Sequence, residues 1–311
     1  MILFLLMLCQ CVSFEWRQRI TSSPQLHSKC RVDQISLESL ANKHYFFFGD
    51  SVTRYMYLVF VYMLTNFGIF PPHFRDGKHP SVADERSWDS WKEFYVGTSA
   101  EFGSETCDCY RQEYPLPPSW VTDTCENRYT FIASLNISVT YIQLFGYHNL
   151  SARLPIGFNK SEKLTLENYR QNEVLFREPA DVGLARFFSV LPKADVVIVN
   201  SGHWEDICIS NDTEYFTKIL KSIEMYASTE KAVLIWRTTT RTNTPYVDET
   251  AKQCVRSRNR KWQILDATQL IKELSEECLW DGLHPHAYFH EELLRSMVGL
   301  LINKCDSLEY M

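Results

Sequence analysis

The run Asp195-Val196-Val197-Ile198-Val199-Asn200 is apolar without a break between its two polar ends. A strand with one face in water alternates apolar and polar side chains, so an unbroken apolar strand has to be covered on both faces. Helices on the two sides of a parallel sheet provide that cover. His44-Tyr45-Phe46-Phe47-Phe48 is a second such run, and Gly49-Asp50 stops it as a tight turn. From Val52 to Phe67 the spacing changes: Tyr55, Leu58, Val59, Tyr62 and Met63 recur at helical intervals of three and four. Strand, tight turn and helix in that order open an α/β fold.

The alternation continues toward the C-terminus. A helical pattern spans Thr213 to Ala227, a strand Ala232 to Trp236, a helix about Val247 to Arg258, a strand Trp262 to Leu265, and a last helix Ala287 to Asn303. Tyr129–Ala133 and Val139–Phe145 are expected to pair as a hairpin around Asn136, and the polar run Gly146 to Glu167 to form an exposed loop. The expected fold class is α/β, a three-layer α/β/α sandwich with a mainly parallel sheet. One domain over residues 15–311 accounts for the pattern. Within it, about 71–127 is rich in Pro, Gly, Trp and charge and contains Cys107, Cys109 and Cys125. That stretch reads as an insertion on the core, tied by disulfides.

Residues 1–14 read as a signal peptide or short hydrophobic leader. Met1 to Val12 is almost wholly apolar, with small or polar residues near Ser13 where cleavage would fall. No Lys or Arg precedes that core, and a buried N-terminal strand or truncated membrane anchor would share its pattern. Two further features point to the secretory route. Of ten cysteines, eight lie beyond the leader: Cys30, Cys107, Cys109, Cys125, Cys208, Cys254, Cys278 and Cys305. An even number suits up to four disulfides, in a pairing that sequence leaves open. Cys107-Asp108-Cys109 has no second close Cys or His pair, so a disulfide suits it better than zinc. Four glycosylation sequons begin at Asn136, Asn149, Asn159 and Asn211. The expected location is the secretory pathway, either extracellular or in the Golgi lumen.

Composition excludes other classes. With 32 basic and 38 acidic residues the net charge is −6, which offers no electrostatic footprint for nucleic acid. No apolar run reaches the roughly 20 residues of a membrane helix, so no integral span beyond the leader is expected.

Open α/β sheets bind ligands beyond the carboxyl ends of their strands. Gly49-Asp50-Ser51 follows the first strand, Asn200-Ser201-Gly202-His203-Trp204 the central one, and Asp281-Gly282-Leu283-His284 is expected to follow the last. Ser51 would open a helix, where unpaired N–H groups and the helix dipole favour developing negative charge. His284 can serve as its base, and Asp281 can accept the other imidazole N–H. Asn200 or a nearby backbone N–H, with the N–H of Ser51, would bind an oxyanion. Taken singly, each has an ordinary reading: Ser51 a helix N-cap, Asp281-Gly282 a turn, His284 a surface histidine, His203-Trp204 a packed pair. Their occurrence together at strand ends is what suggests a nucleophilic site.

This set resembles the SGNH (GDSL-type) hydrolase superfamily, and in particular its PC-esterase branch, which includes the trichome-birefringence-like polysaccharide O-acetyltransferases. Gly49-Asp50-Ser51-x-x-Arg54 is similar to the branch's serine block, and Val199-Asn200-Ser201-Gly202-His203-Trp204 to its block ending Gly-His-Trp. Trp236-Arg237-Thr238-Thr239 is like its Arg-Thr segment, and Asp281-Gly282-Leu283-His284-Pro285 like its terminal Asp-x-x-His block. The resemblance spans about Tyr45 to Asn303. It implies acyl transfer on a glycan: Ser51 takes the acyl group from a donor and passes it to water or a sugar hydroxyl, His284 moves the proton, and Asp281 orients His284. Arg54 would position the site or contact substrate. The wider superfamily has Gly-x-Asn-Asp where this chain has Ser201-Gly202-His203-Trp204, so His203 stands at the usual oxyanion position and Asn200 precedes it. No cofactor is implied. The implied partners are a glycan acceptor and an acyl donor.

In the enzyme reading Trp88, Trp91 and Trp120 offer stacking platforms for sugar, although core packing is the commoner use of any one of them. Two other functions remain open at this level. One is a catalytically inactive, secreted carbohydrate-binding module on the same fold. The presence of Ser51, Asp281 and His284 together speaks against it. The other is a metal-dependent hydrolase using His284, His286 and His290, although no Glu is placed as in the zinc-protease motif. The expectation is therefore no metal.

Overall fold

The computed structural model of the chain describes residues 32–71, 127–143, 150–155, 173–178, 188, 193–200, 213–227, 229–240, 245–258, 262–274, 278–279 and 282–302. Most of the expected insertion, the leader, and the Trp and Cys residues placed in them lie outside these.

The chain opens with β1 (His44–Gly49) and α1 (Ser51–Thr65), followed by β2 (Asn127–Ile132) and β3 (Ile137–Gln143). The short strands β4 (Leu150–Pro155) and β5 (Glu173–Glu178) come next. The C-terminal half alternates β6 (Val196–Val199), α2 (Thr213–Tyr226), β7 (Val233–Arg237), α3 (Pro245–Arg256) and β8 (Trp262–Leu265), and closes with α4 (Ala267–Leu274) and α5 (Ala287–Leu301). Six strands form one sheet in the order β2-β3-β1-β6-β7-β8. All neighbours are parallel except β2 and β3, which make the expected hairpin. Asn136 sits at the turn of that hairpin with φ 50°, a left-handed conformation that Asn tolerates better than most residues.

Successive side chains of a strand point to opposite faces, and the core divides accordingly. Tyr45, Phe47, Val196, Ile198 and Ile235 pack with α1, α4 and α5 in one cluster. Phe46, Phe48, Val197, Val199, Leu234 and Trp236 pack with α2 and α3 in a second. Helices thus cover both faces of a mostly parallel sheet, an arrangement compatible with a three-layer α/β/α sandwich. This explains why β1 from Tyr45 to Phe48 and β6 throughout are apolar. α1 is buried from Val52 to Val61, so it too is apolar nearly all round.

Two expectations are corrected. The run Gly146 to Glu167 is not wholly a loop, because β4 lies in it and pairs antiparallel with β5, Leu150 opposite Glu178. Leu150, Ala152 and Leu154 alternate with Ser151 and Arg153, a two-residue period masked by polar surroundings. The Asp281–His284 segment does not follow the last strand directly, since α4 intervenes. The signal for α4 was Asp266, whose carboxylate accepts the Gln269 N–H at 2.9 Å and caps the helix.

Candidate functional site

From β1, chain progress runs to β3 on one side and later to β6 on the other, so the strand order reverses at β1/β6. The crevice beyond the carboxyl ends of these two strands is where α/β sheets bind ligands. Gly49 ends β1, and Asn200 follows β6, its N–H donating to the Phe48 carbonyl at 2.9 Å.

The turn from β1 into α1 leaves no room for another residue at Gly49. A Cβ there would lie 2.3 Å from Thr53 Oγ1 and 2.9 Å from the Asn200 carbonyl oxygen. The next residue, Asp50, is the helix cap: its Oδ1 accepts the N–H groups of Val52 at 3.0 Å and Thr53 at 3.4 Å. Ser51 is therefore not the N-cap but the first helical residue. Its N–H belongs to the first turn, where no helical carbonyl can reach it, and Asp50 satisfies the two amides that follow. Tyr141 of β3 clamps the turn, with its hydroxyl 3.0 Å from the Asp50 carbonyl oxygen.

Ser51 Oγ lies 2.7 Å from His284 Nε2. With the imidazole proton on Nδ1, the serine hydroxyl donates to Nε2, the arrangement a general base requires. Both side chains are half-buried, so the pair remains reachable from solvent. The His284 segment is tied on both sides. Thr240 Oγ1 donates to the Leu283 carbonyl at 2.9 Å, the His286 N–H donates to the Cys278 carbonyl at 2.9 Å, and Pro285 pairs with Leu279 as an isolated bridge. Gly282 has φ 81°, the left-handed turn expected of Asp-Gly.

Beneath Ser51 the three strand ends are cross-linked by Arg237, which is wholly buried. One guanidinium nitrogen donates to Thr53 Oγ1 at 3.0 Å and lies 3.7 Å from Asp50 Oδ1. Another reaches the Thr238 carbonyl at 3.3 Å. Burial pulls the guanidinium below its ordinary pKa, and Asp50, Asp248 and Tyr141 oppose that pull. Asn200 Nδ2 donates to the Arg237 carbonyl at 2.8 Å. Sequence reasoning gave Arg237 no role of its own. Its signal was a basic residue at the end of an otherwise apolar strand.

The other site candidates fall as follows. Asn200 is fully buried, and its amide braces β6 to β7. Arg54 is 2% exposed, and its guanidinium donates to the Tyr55 hydroxyl at 2.8 Å. Asp281, Gly202 and His203 lie outside the described residues, as do Asn149, Asn159 and Asn211. Asn136 is exposed, with its Nδ2 donating to Asn42 Oδ1 at 3.0 Å. Among the cysteines, Cys254 is half-buried with its thiol unpaired and its pKa raised by burial. The expected disulfides therefore do not include Cys254. The imidazole of His286 stacks on Tyr288 at 6.0 Å, and His290 is enclosed with no hydrogen bond to either ring nitrogen. Among the described residues no group of three His, Cys, Asp or Glu side chains is arranged to hold a metal ion. No described helix is long and apolar enough to cross a membrane. Comparison with protein-family models and with curated proteins finds no match.

Proposed function

We propose that the chain is an SGNH-type carbohydrate O-acetyltransferase or acetylesterase of the secretory pathway, working through an acyl-serine at Ser51. The observation that carries this reading is the 2.7 Å contact of Ser51 Oγ with His284 Nε2 beyond the carboxyl end of β1. A capped helix N-terminus supports it, because the first-turn N–H of Ser51 and the dipole of α1 favour the charge of an oxyanion. The glycan substrate and the secretory location rest on the resemblance of the sequence blocks and on the four sequons.

In this mechanism Ser51 Oγ attacks the acyl carbonyl carbon while its proton passes to His284 Nε2. The carbonyl electrons move to oxygen, and the oxyanion is held by the Ser51 N–H with a second donor from Gly202 or His203. When the tetrahedral intermediate collapses, the donor's oxygen leaves with the proton from His284, and the acyl group stays on Ser51. Water or a sugar hydroxyl then gives its proton to His284 and attacks the acyl-serine, reversing the sequence. Asp281 accepts the Nδ1–H and steadies the imidazolium. Buried Arg237 lies 3.7 Å from Oδ1 of Asp50, the cap that sets Ser51 at the helix start.

Intact-protein mass spectrometry after exposure to an activated acetyl ester tests the proposal. A single acetyl adduct on Ser51, absent in Ser51→Ala, is the expected result. Faster decay of the adduct with added sugar identifies a transferase, and equal decay an esterase. No adduct and no turnover in folded protein would overturn the proposal and leave the carbohydrate-binding module as the better reading.

A further inference from the structure

His284 touches α1 at a second point. The ring of Tyr55 lies 5.6 Å from the imidazole, centroid to centroid, with the two planes at 85°. Ser51 and Tyr55 are four residues apart on α1 and therefore share one face of the helix, one turn apart. A helical side chain leans toward the N-terminus, which brings the Tyr55 ring over the turn that carries Ser51.

The two contacts do different things. The hydrogen bond at Nε2, and the one proposed at Nδ1, fix the line through the two nitrogens but leave the ring plane able to turn about that line. An aromatic ring held at right angles against the imidazole removes that rotation, since edge-to-face is the favoured geometry of such pairs. Tyr55 is itself immobilised. It is fully buried, its hydroxyl accepts from Arg54 at 2.8 Å, and the Arg54 guanidinium lies 4.6 Å from its ring centroid. The His290 ring also lies against Tyr55, 6.4 Å away centroid to centroid.

We propose that Tyr55 is a positioning residue for His284, fixing the plane of the imidazole, and that Arg54 acts through Tyr55 rather than on substrate. The rate consequence rests on the acyl-transfer reading above; the geometric one does not. A base whose ring rotates spends less time aligned with the serine proton, so kcat falls while substrate binding is left alone.

The test compares Tyr55→Leu, Tyr55→Phe and Arg54→Met in the full-length protein. Two readouts are used: p-nitrophenyl acetate turnover, and imidazole resonances of ¹⁵N-histidine-labelled protein with His284 assigned by its loss in His284→Gln. Tyr55→Leu is expected to lower kcat by about 10- to 100-fold with KM within about twofold. Arg54→Met and Tyr55→Phe, which keep the ring but loosen its anchor, are expected to lower kcat by about threefold to tenfold, again with KM held. In all three, looser seating of the imidazole on Ser51 lets the neutral tautomers mix, so the Nδ1 and Nε2 signals of His284 should move toward each other. A rise in KM at constant kcat in Arg54→Met would place Arg54 on the substrate and overturn the proposal. So would unchanged His284 resonances in Tyr55→Leu. If Tyr55→Leu does not fold, Tyr55→Phe and Arg54→Met decide the matter on the same readouts. If wild type has no esterase activity, the acyl-transfer reading fails, and the His284 resonances still judge the role of Tyr55.

Discussion

Ser51 Oγ and His284 Nε2 stand 2.7 Å apart although 233 positions of sequence separate them. One belongs to the first turn of the N-terminal half, the other to the loop before the last helix. Groups that act as a unit lose most of their effect when either is removed. Ser51→Ala and His284→Ala should each lower kcat/KM on an activated acyl ester by at least about a thousandfold, and the double variant should be little worse. Losses that multiply would show that the two side chains do not work together. Asp281→Asn is expected to produce a loss of the same order by allowing the wrong imidazole tautomer.

At Gly49 the expected effect is on folding. Alanine would put its Cβ 2.3 Å from Thr53 Oγ1 and 2.9 Å from the Asn200 carbonyl oxygen. Overpacking of this kind costs about 1–3 kcal/mol or more, readable as a lower urea midpoint. Adding Thr53→Ala should restore only part of it, because the Asn200 carbonyl is backbone and cannot step aside. Full restoration would mean that the β1/β6 junction is looser than this spacing implies.

Arg237 presents a buried charge beside a buried carboxylate, that of Asp50. Arg237→Met removes the guanidinium that lies 3.7 Å from the buried Asp50 carboxylate, and a cost of about 3–5 kcal/mol is expected. Asp50→Asn keeps a side-chain oxygen for the cap while removing the charge. The double variant should therefore be more stable than Arg237→Met alone. Denaturation curves of the four proteins check this, and a double variant less stable than the single one would refute it.

His290 makes stability depend on pH. Burial first, then the charges of Arg237, His284 and His286, hold its pKa well below the ordinary histidine value. In the unfolded chain the imidazole takes up a proton near pH 6.5, whereas the folded one stays neutral to lower pH. The unfolded state thus binds more protons below about pH 6.5, and stability falls with decreasing pH by up to about 1.4 kcal/mol per unit from this group. His290→Phe should flatten that slope between pH 6.5 and 5 relative to wild type. Equal slopes in the two proteins would show that His290 protonates normally in the fold.

Thr240 tethers the His284 loop through the Leu283 carbonyl at 2.9 Å. Thr240→Val preserves the shape and removes the donor, with an expected cost of about 1 kcal/mol in stability. The larger expected effect is on kcat, since loss of this tether lets the loop and its histidine shift. A stability loss with unchanged kcat would assign Thr240 to folding alone.

Much of this was legible beforehand for local reasons. β8 runs from Trp262 to Leu265, as its sequence pattern indicates, and the hairpin turns at Asn136. Period and turn chemistry act over a few residues, and there the sequence is explicit. β4 was hidden because its alternation is short and lies among polar residues. α4 was hidden because eight residues give barely two turns of periodicity. Ser51 and His284 were legible as residue types at predicted strand ends. Asn200 was read as an oxyanion donor, but its amide is turned to the Arg237 carbonyl, a contact between two strands that no local pattern encodes.

The sequence by itself determined the alternation of strands and helices, the need for cover on both faces of the sheet, and the residue types at the turns. These follow from backbone propensity and from where apolar side chains must go. Only the tertiary structure decided the strand order that puts β1 beside β6, the crossing of Arg237 under Asp50 and Thr53, and the seating of His284 between Ser51 and Tyr55. Those depend on contacts between segments far apart in the chain. Each is set by shape, charge and hydrogen-bond satisfaction across the packed core rather than by any local preference.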